Sequence, residues 1–170
     1  ALPIFLLLLL PILVSSALYS WPENAYPTGN GASVTMKGLS SGQGNMYVAA
    51  DIAGETQFES IVDAITSTGA VDAVVVQYNH NGEAKWVSQF GGYIPNGVST
   101  SVTHIQAIVT GLNGITYVGG YFTGHVNSST ATGTTCTGIS STAQNMWFAA
   151  VDTNGKCLWL KGAPDGAFYQ

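Results

Sequence analysis

The stretches "DAVVVQYNHNGEAKWV" (Asp72–Val87) and "NMWFAAVDTNGKCLWL" (Asn145–Leu160) decide the fold. Superimposed, they place Asn81-Gly82 on Asn154-Gly155 and Trp86 on Trp159, an offset of seventy-three residues. Each is a pair of apolar runs separated by Asn-Gly. That dipeptide between alternating runs is the strongest short-range sign of a β-hairpin, because both central residues of a type I′ turn need φ > 0. Asn113-Gly114 sits in the same kind of setting, so three hairpins are expected.

Outward from these hairpins the chain repeats itself. "YVAADIAGET" (Tyr47–Thr56) matches "YVGGYFTGHV" (Tyr117–Val126) at an offset of seventy, and a weaker match joins Trp21–Tyr26 to Ala163–Phe168. The boundaries that follow are an apolar N-terminal segment (1–20), a first β-unit (21–92) and a second (93–170). Strands are expected near Ser33–Gly38, Met46–Ile52, Ala73–Tyr78 and Ala84–Phe90 in the first unit. In the second they are expected near His104–Thr110, Ile115–Phe122, Met146–Asp152 and Cys157–Lys161. The connections Glu55–Val71 and Thr123–Asn145 are rich in Ser, Thr and Gly, which suits irregular or short edge-strand structure.

"DAVVVQYNHNGEAKWVSQFGG" (Asp72–Gly92) and "NGITYVGGYFTG" (Asn113–Gly124) carry a resemblance. An Asp before an apolar strand, an Asn-Gly hairpin, a Trp, a Gly-Gly and a Tyr-Val-x-Gly-x-Phe make the chain similar to the short β-propeller repeat of secreted and surface proteins of bacteria. The likeness spans residues 32–165, with Ala49-Ala50 standing where Gly119-Gly120 would be expected and Pro164-Asp165 where Gly91-Gly92 would be. It implies an extracellular scaffold, often for adhesion or display, and no particular chemistry. A closed propeller needs at least four blades. The expected fold is therefore all-β: two blade-like antiparallel units of about 70 residues forming a sandwich or an open-edged β-domain. Open edges must then be paired inside the molecule or between subunits.

Composition narrows the partners. Only 8% of residues are charged, against about 25% in an ordinary soluble protein. Four Lys, no Arg and a net charge of −5 supply no cationic stripe for phosphates, which argues against nucleic acid. Two Cys and the sequon Asn127-Ser128-Ser129 point outside the cell.

The opening "ALPIFLLLLLPILVSSALYS" (1–20) admits three readings. A secretion signal would use the small-x-small site Ser15-Ser16-Ala17, although no basic n-region precedes the apolar run. A membrane anchor would need about 20 apolar residues without Pro11 inside. A strand donated to a neighbouring subunit tolerates Pro3 and Pro11, with Ile4, Phe5, Leu6, Leu8, Leu10, Ile12 and Val14 filling its pockets. A membrane becomes a partner only under the anchor reading.

No pattern demands a catalytic group, metal or cofactor. His80, His104 and His125 are isolated, without metal-ligand spacing. Cys136 and Cys157 are the expected disulfide. "DTNGK" (Asp152–Lys156) begins like a calcium loop but lacks the closing carboxylate, so a plain hairpin is the better reading. The acidic stretch Asp51, Glu55, Glu59 and Asp63 reads as a solvated loop rather than a glycosidase pair. Trp86 and Trp159 share a repeat position and are expected in the core. Trp147 neighbours Phe148, so one of the two must face outward; Trp21 and Trp147 are the candidate aromatic contacts. The expected function is a non-enzymatic extracellular structural subunit that polymerises with itself. The alternative is a secreted carbohydrate-binding or adhesion module, with glycans as partners.

Overall fold

The structure is a computed structural model that describes residues 25–58, 64–92, 100–130 and 136–163. The described residues are all-β and form eleven strands. They are β1 (Ala25–Pro27), β2 (Ser33–Gly42), β3 (Asn45–Ala53), β4 (Glu55–Phe58), β5 (Ile65–Thr66), β6 (Asp72–Tyr78), β7 (Ala84–Gly91), β8 (Val102–Thr110), β9 (Thr116–Thr130), β10 (Ile139–Val151) and β11 (Cys157–Gly162). The eight strands read from the sequence are all present. β4 and β5 are short strands within the first long connection. The second connection is more regular than its composition suggests, since β9 runs on to Thr130 and β10 begins at Ile139.

Each unit is an antiparallel meander: β2-β3-β6-β7 in the first and β8-β9-β10-β11 in the second. Their irregularities coincide. Register slips between Met36 and Gly38 on β2 and between Ile105 and Ala107 on β8. It slips again between Gln77 and Tyr78 on β6 and between Ala150 and Val151 on β10. These are β-bulges, which sharpen local twist and re-aim the following side chain.

The Asn-Gly sites do form hairpins, but not type I′ turns. Only the glycines have positive φ: Gly82 and Gly155 at 81° and Gly114 at 78°. The loop is three residues long, a type I turn closed by a left-handed glycine. Gly82 N–H donates to Asn79 O at 3.0 Å, and Gly155 N–H to Asp152 O at 3.1 Å. The two-residue turn with both φ values positive is Gln43-Gly44, between β2 and β3. Gln lacks the short side chain that marks such turns in a sequence.

β9 joins the two meanders. Up to Thr123 it pairs with β8, and from Asn127 to Thr130 it pairs with Gly91–Ser88 of β7. Gly124, at φ 90°, lies between the two pairings. The result is a curled eight-stranded sheet in the order β11-β10-β9-β7-β6-β3-β2, with β8 also on β9. Curling lets the units face each other over one core. Tyr47, Val75, Trp86 and Phe90 from the first meet Val118, Phe122, Trp147 and Leu160 from the second.

A second core lies on the opposite face of the first unit, where Ile52, Val74 and Val76 pack with Phe58, Ala25 and Ile65. The last three belong to the small sheet β1-β4-β5. β6 is therefore buried along its whole length, which accounts for an uninterrupted Ala-Val-Val-Val run instead of alternation. Burying each such Val stabilises the fold by about 1.5–3 kcal/mol.

Asp72, which opens that run, is fully buried. Its carboxylate accepts hydrogen bonds from Thr68 N–H (2.6 Å), Thr68 Oγ1 (2.9 Å), Gly69 N–H (3.0 Å) and Gln89 Nε2 (2.6 Å). Four donors offset the desolvation of a buried charge. Gly91 lies directly over it, where any Cβ would overlap the carboxylate. Asp72 and Gly91 thus form one structural device.

Candidate functional site

Among the described residues, three places bring side chains of functional interest together. The first is a polar clasp between the units. Asp51 Oδ2 meets His104 Nδ1 at 2.6 Å and Lys37 Nζ at 3.2 Å, and its Oδ1 accepts the Ile105 N–H at 2.9 Å. The Asp51 side chain is only 7% exposed, so the expectation of a solvated loop is corrected: it lies on β3 and is enclosed by β8. Glu55 lies on β4 and accepts from Thr28 Oγ1 at 2.8 Å, while Glu59 and Asp63 lie outside the described residues.

An Asp–His pair can orient an acid–base catalyst. Here the described contacts of the His104 ring are Asp51 and the Tyr121 ring, 4.7 Å away between centroids, and neither supplies an activated serine or thiol. Asp51 also bonds a backbone N–H of β8 beside its bulge, which fits a clasp holding β8 against β3. Thr110 N–H donates to Ser40 Oγ at 2.8 Å further along the same seam. Among the described residues no group of three or more His, Cys, Asp or Glu could hold a metal ion.

The second place is an open cavity of about 570 Å³ between the β2–β3 and β6–β7 turns. Leu39 and Met46 give it an apolar floor; Asn45, Asn79, Gln43 and Ser41 give it amide and hydroxyl groups. His80 is the titratable group among its described lining residues. Such a lining can hydrogen-bond a neutral polar ligand, but it brings no carboxylate pair together.

The third is the outer face of the second unit. Val109 on β8 stands opposite Tyr117 on β9, Tyr117 opposite Ala150 on β10, and Ala150 opposite Trp159 on β11. Phe148 projects on the same side, two residues before Ala150. All four large side chains are exposed: Val109 59%, Phe148 42%, Tyr117 40% and Trp159 39%. Gly119 lies beneath the Phe148 ring, where a Cβ would come within 2.9 Å of it.

Two tryptophan expectations are therefore corrected. Trp147 is fully buried, its ring 5.0 Å from Phe90 and its indole N–H donating to His104 O at 3.0 Å. Strand alternation sends its neighbour Phe148 outward instead. Trp86 is core, as expected, but Trp159 is exposed because nothing among the described residues stacks on the second unit from outside. Position along a strand, legible in the sequence, selects a side of the sheet. Which side is covered depends on how the units stack.

The remaining sites can be placed as well. Cys136 and Cys157 form the disulfide, with Cα atoms 5.8 Å apart, tying the β9–β10 loop to β11. That bond agrees with an oxidising, extracellular setting. Asp152 Oδ1 caps its own turn, accepting from Asn154 N–H (2.8 Å) and Lys156 N–H (2.9 Å), so "DTNGK" is a plain hairpin. Asn127 sits within β9 between β7 and β10, half-buried, its amide oxygen against Gly138. His80 and His125 are exposed. Ile4, Phe5, Leu6, Leu8, Leu10, Ile12, Val14 and Trp21 lie outside the described residues. Among the described residues, no helix is long and apolar enough to cross a membrane. Compared with known proteins, the chain matches no family model and no curated protein.

Proposed function

We propose that this protein is a non-enzymatic extracellular structural subunit that assembles head to tail into a filament or surface array. One observation carries the reading. The two end strands of the curled sheet, β2 and β11, each pair on one side only among the described strands. Unpaired strand edges recruit further chains unless charges, prolines or a covering element guard them. Each end strand carries one Lys; Lys37 of β2 is drawn to Asp51, and β11 presents exposed Leu158 and Trp159 beside Lys161. The apolar segment 1–20 supplies an adhesive element at the other end of the chain, with Ile4 to Val14 docking on a neighbour. A contact between two different surfaces propagates unless its rotation closes a ring.

Light scattering and electron microscopy of the full chain test this. Polymers growing with concentration are expected. A monodisperse monomer throughout the micromolar range, with residues 1–20 present, would refute it.

A second reading, recognition of glycans as a secreted adhesion module, is favoured by the amide- and hydroxyl-lined cavity beside Asn45 and Asn79. Under it, an oligosaccharide panel assayed by calorimetry gives a binder whose heat is lost in Asn45→Ala. A panel without binders removes that reading.

A further inference from the structure

The repeat places an aromatic pair at the same point in both units. Tyr47, Gln77 and Trp86 form one row across the first unit, and the Tyr47 and Trp86 rings are 6.0 Å apart. Tyr117, Ala150 and Trp159 form the matching row of the second, with the rings 6.3 Å apart. The interplanar angles, 54° and 45°, are close.

Their surroundings differ. The first pair is covered by the Asp152–Lys156 turn of the second unit. Thr153 O accepts the Trp86 indole N–H at 2.9 Å, and Gly155 rests on the ring so closely that a Cβ would stand 2.8 Å from it. Ser88 Oγ donates to Gly155 O at 2.5 Å beside it. The second pair lies open, with Phe148 and Val109 alongside.

The missing cover is a turn of the same build, and the chain holds one unused. In the Asn79–Glu83 turn, Asn79 Oδ1 accepts from Asn81 N–H and Glu83 N–H, both at 3.0 Å, as Asp152 Oδ1 does in its own turn. The glycines share the same φ of 81°. Around Gly82, however, no heavy atom lies within 4 Å of where a Cβ would stand, and His80 and Asn81 are exposed. Lys161 stands opposite Phe148 on the open face, while Glu83 of the turn is already paired with Lys85 Nζ at 2.9 Å, so the match is one of shape and turn geometry rather than of charge.

We infer that the Asn79–Glu83 turn of a second copy of this chain docks on the Tyr117–Trp159 face. It reproduces between molecules the contact that Asp152–Lys156 makes with Tyr47–Trp86 within one. This inference rests on the assembly reading above and specifies its surfaces. Gly82 sits on the Trp159 ring, and the carbonyl of His80, the counterpart of Thr153, accepts the Trp159 indole N–H. The donor lies in the first unit and the acceptor in the second, so each added copy presents a fresh acceptor. One turn on one aromatic pair is small beside the ~1,600 Å² of a standard interface. It sets direction and register, while the strand edges and the apolar segment add affinity.

Analytical ultracentrifugation of the full chain tests the inference with one variant for each surface. Trp159→Ala removes the acceptor ring, and Asn81→Arg puts a bulky cation on the turn facing Lys161. Each is expected to raise the assembly midpoint concentration by about tenfold or more, the size of effect that truncating a central aromatic anchor gives. Mixed at concentrations where each is monomeric alone, the two variants make dimers and nothing larger. Each mixed dimer contains one intact turn and one intact face.

If Trp159→Ala weakens assembly but Asn81→Arg does not, another occupant uses the face and the inference is overturned. If neither variant matters while the wild type polymerises, the inference fails and the assembly reading stands on the strand edges. A wild type that never associates ends both. Should Trp159→Ala lose its native circular dichroism, Tyr117→Thr tests the same face.

Discussion

Gly155 and Gly82 are a matched pair that isolates one contact. Both sit at φ 81°, so an alanine at either adopts a left-handed backbone at a cost of about 1–2 kcal/mol. At Gly82 nothing lies near the added methyl, and the cost should stop there. At Gly155 the methyl meets Trp86 Cδ2 at 2.8 Å and Cε3 at 3.0 Å. The ring cannot retreat freely, because it is packed against Tyr47 and tethered to Thr153 O. Forcing it aside adds about 1–3 kcal/mol of overpacking. Losing the indole hydrogen bond adds about 1 kcal/mol.

Gly155→Ala should therefore cost about 3–6 kcal/mol and Gly82→Ala about 1–2 kcal/mol. For a chain of this size that gap of about 2–4 kcal/mol amounts to roughly 4–16 °C in Tm. Urea unfolding followed by tryptophan fluorescence, with equal m-values for both variants, measures it. Trp86 emission should also shift toward that of solvent-exposed indole in Gly155→Ala alone. Equal losses in the two variants would refute the idea that this turn locks the units together through Trp86.

Asp72→Ala should cost about 3–5 kcal/mol in chemical denaturation, since it leaves the Thr68, Gly69 and Gln89 donors without their buried acceptor. Replacing Cys136 and Cys157 by Ser opens a crosslink between residues 21 apart in sequence and should remove about 3 kcal/mol, read as a lower Tm. The Glu83 carboxyl is held below the usual carboxylate range, first by its hydrogen bond from Lys85 and then by that from Asn79. A depressed value means that this pairing helps the fold above the ordinary carboxylate pKa and that the help fades as pH falls through the lowered one. Carbon-13 NMR should show the Glu83 midpoint rise in Lys85→Met; an unchanged midpoint would remove Lys85 as the cause.

Much of the framework was legible. Hairpin positions follow from Asn-Gly between apolar runs, and the repeat fixes which strands correspond. A positive-φ glycine and alternating side chains are local consequences of backbone sterics, so a short window suffices to reveal them. Turn type was less legible, because a type I turn closed by one left-handed glycine and a type I′ turn both accept Asn-Gly. Gln43-Gly44 escaped because the register of β2 on β3, rather than residue preference, holds Gln43 at φ 52°. Asp51, on an expected strand, read as solvated because nothing within its own segment shows that His104 and Lys37 will enclose it.

By itself, the sequence determined an all-β chain of two like units, their hairpins, the expected cysteine pair and the correspondence of Tyr47 with Tyr117 and of Trp86 with Trp159. The tertiary structure alone decided which row is core and which is surface. The two rows are equivalent in sequence and register, but a sheet has two faces, and the energy of burial depends on what stacks against each. The second unit covers the first. Among the described residues nothing covers the second, so one tryptophan anchors the fold and its counterpart waits at the surface.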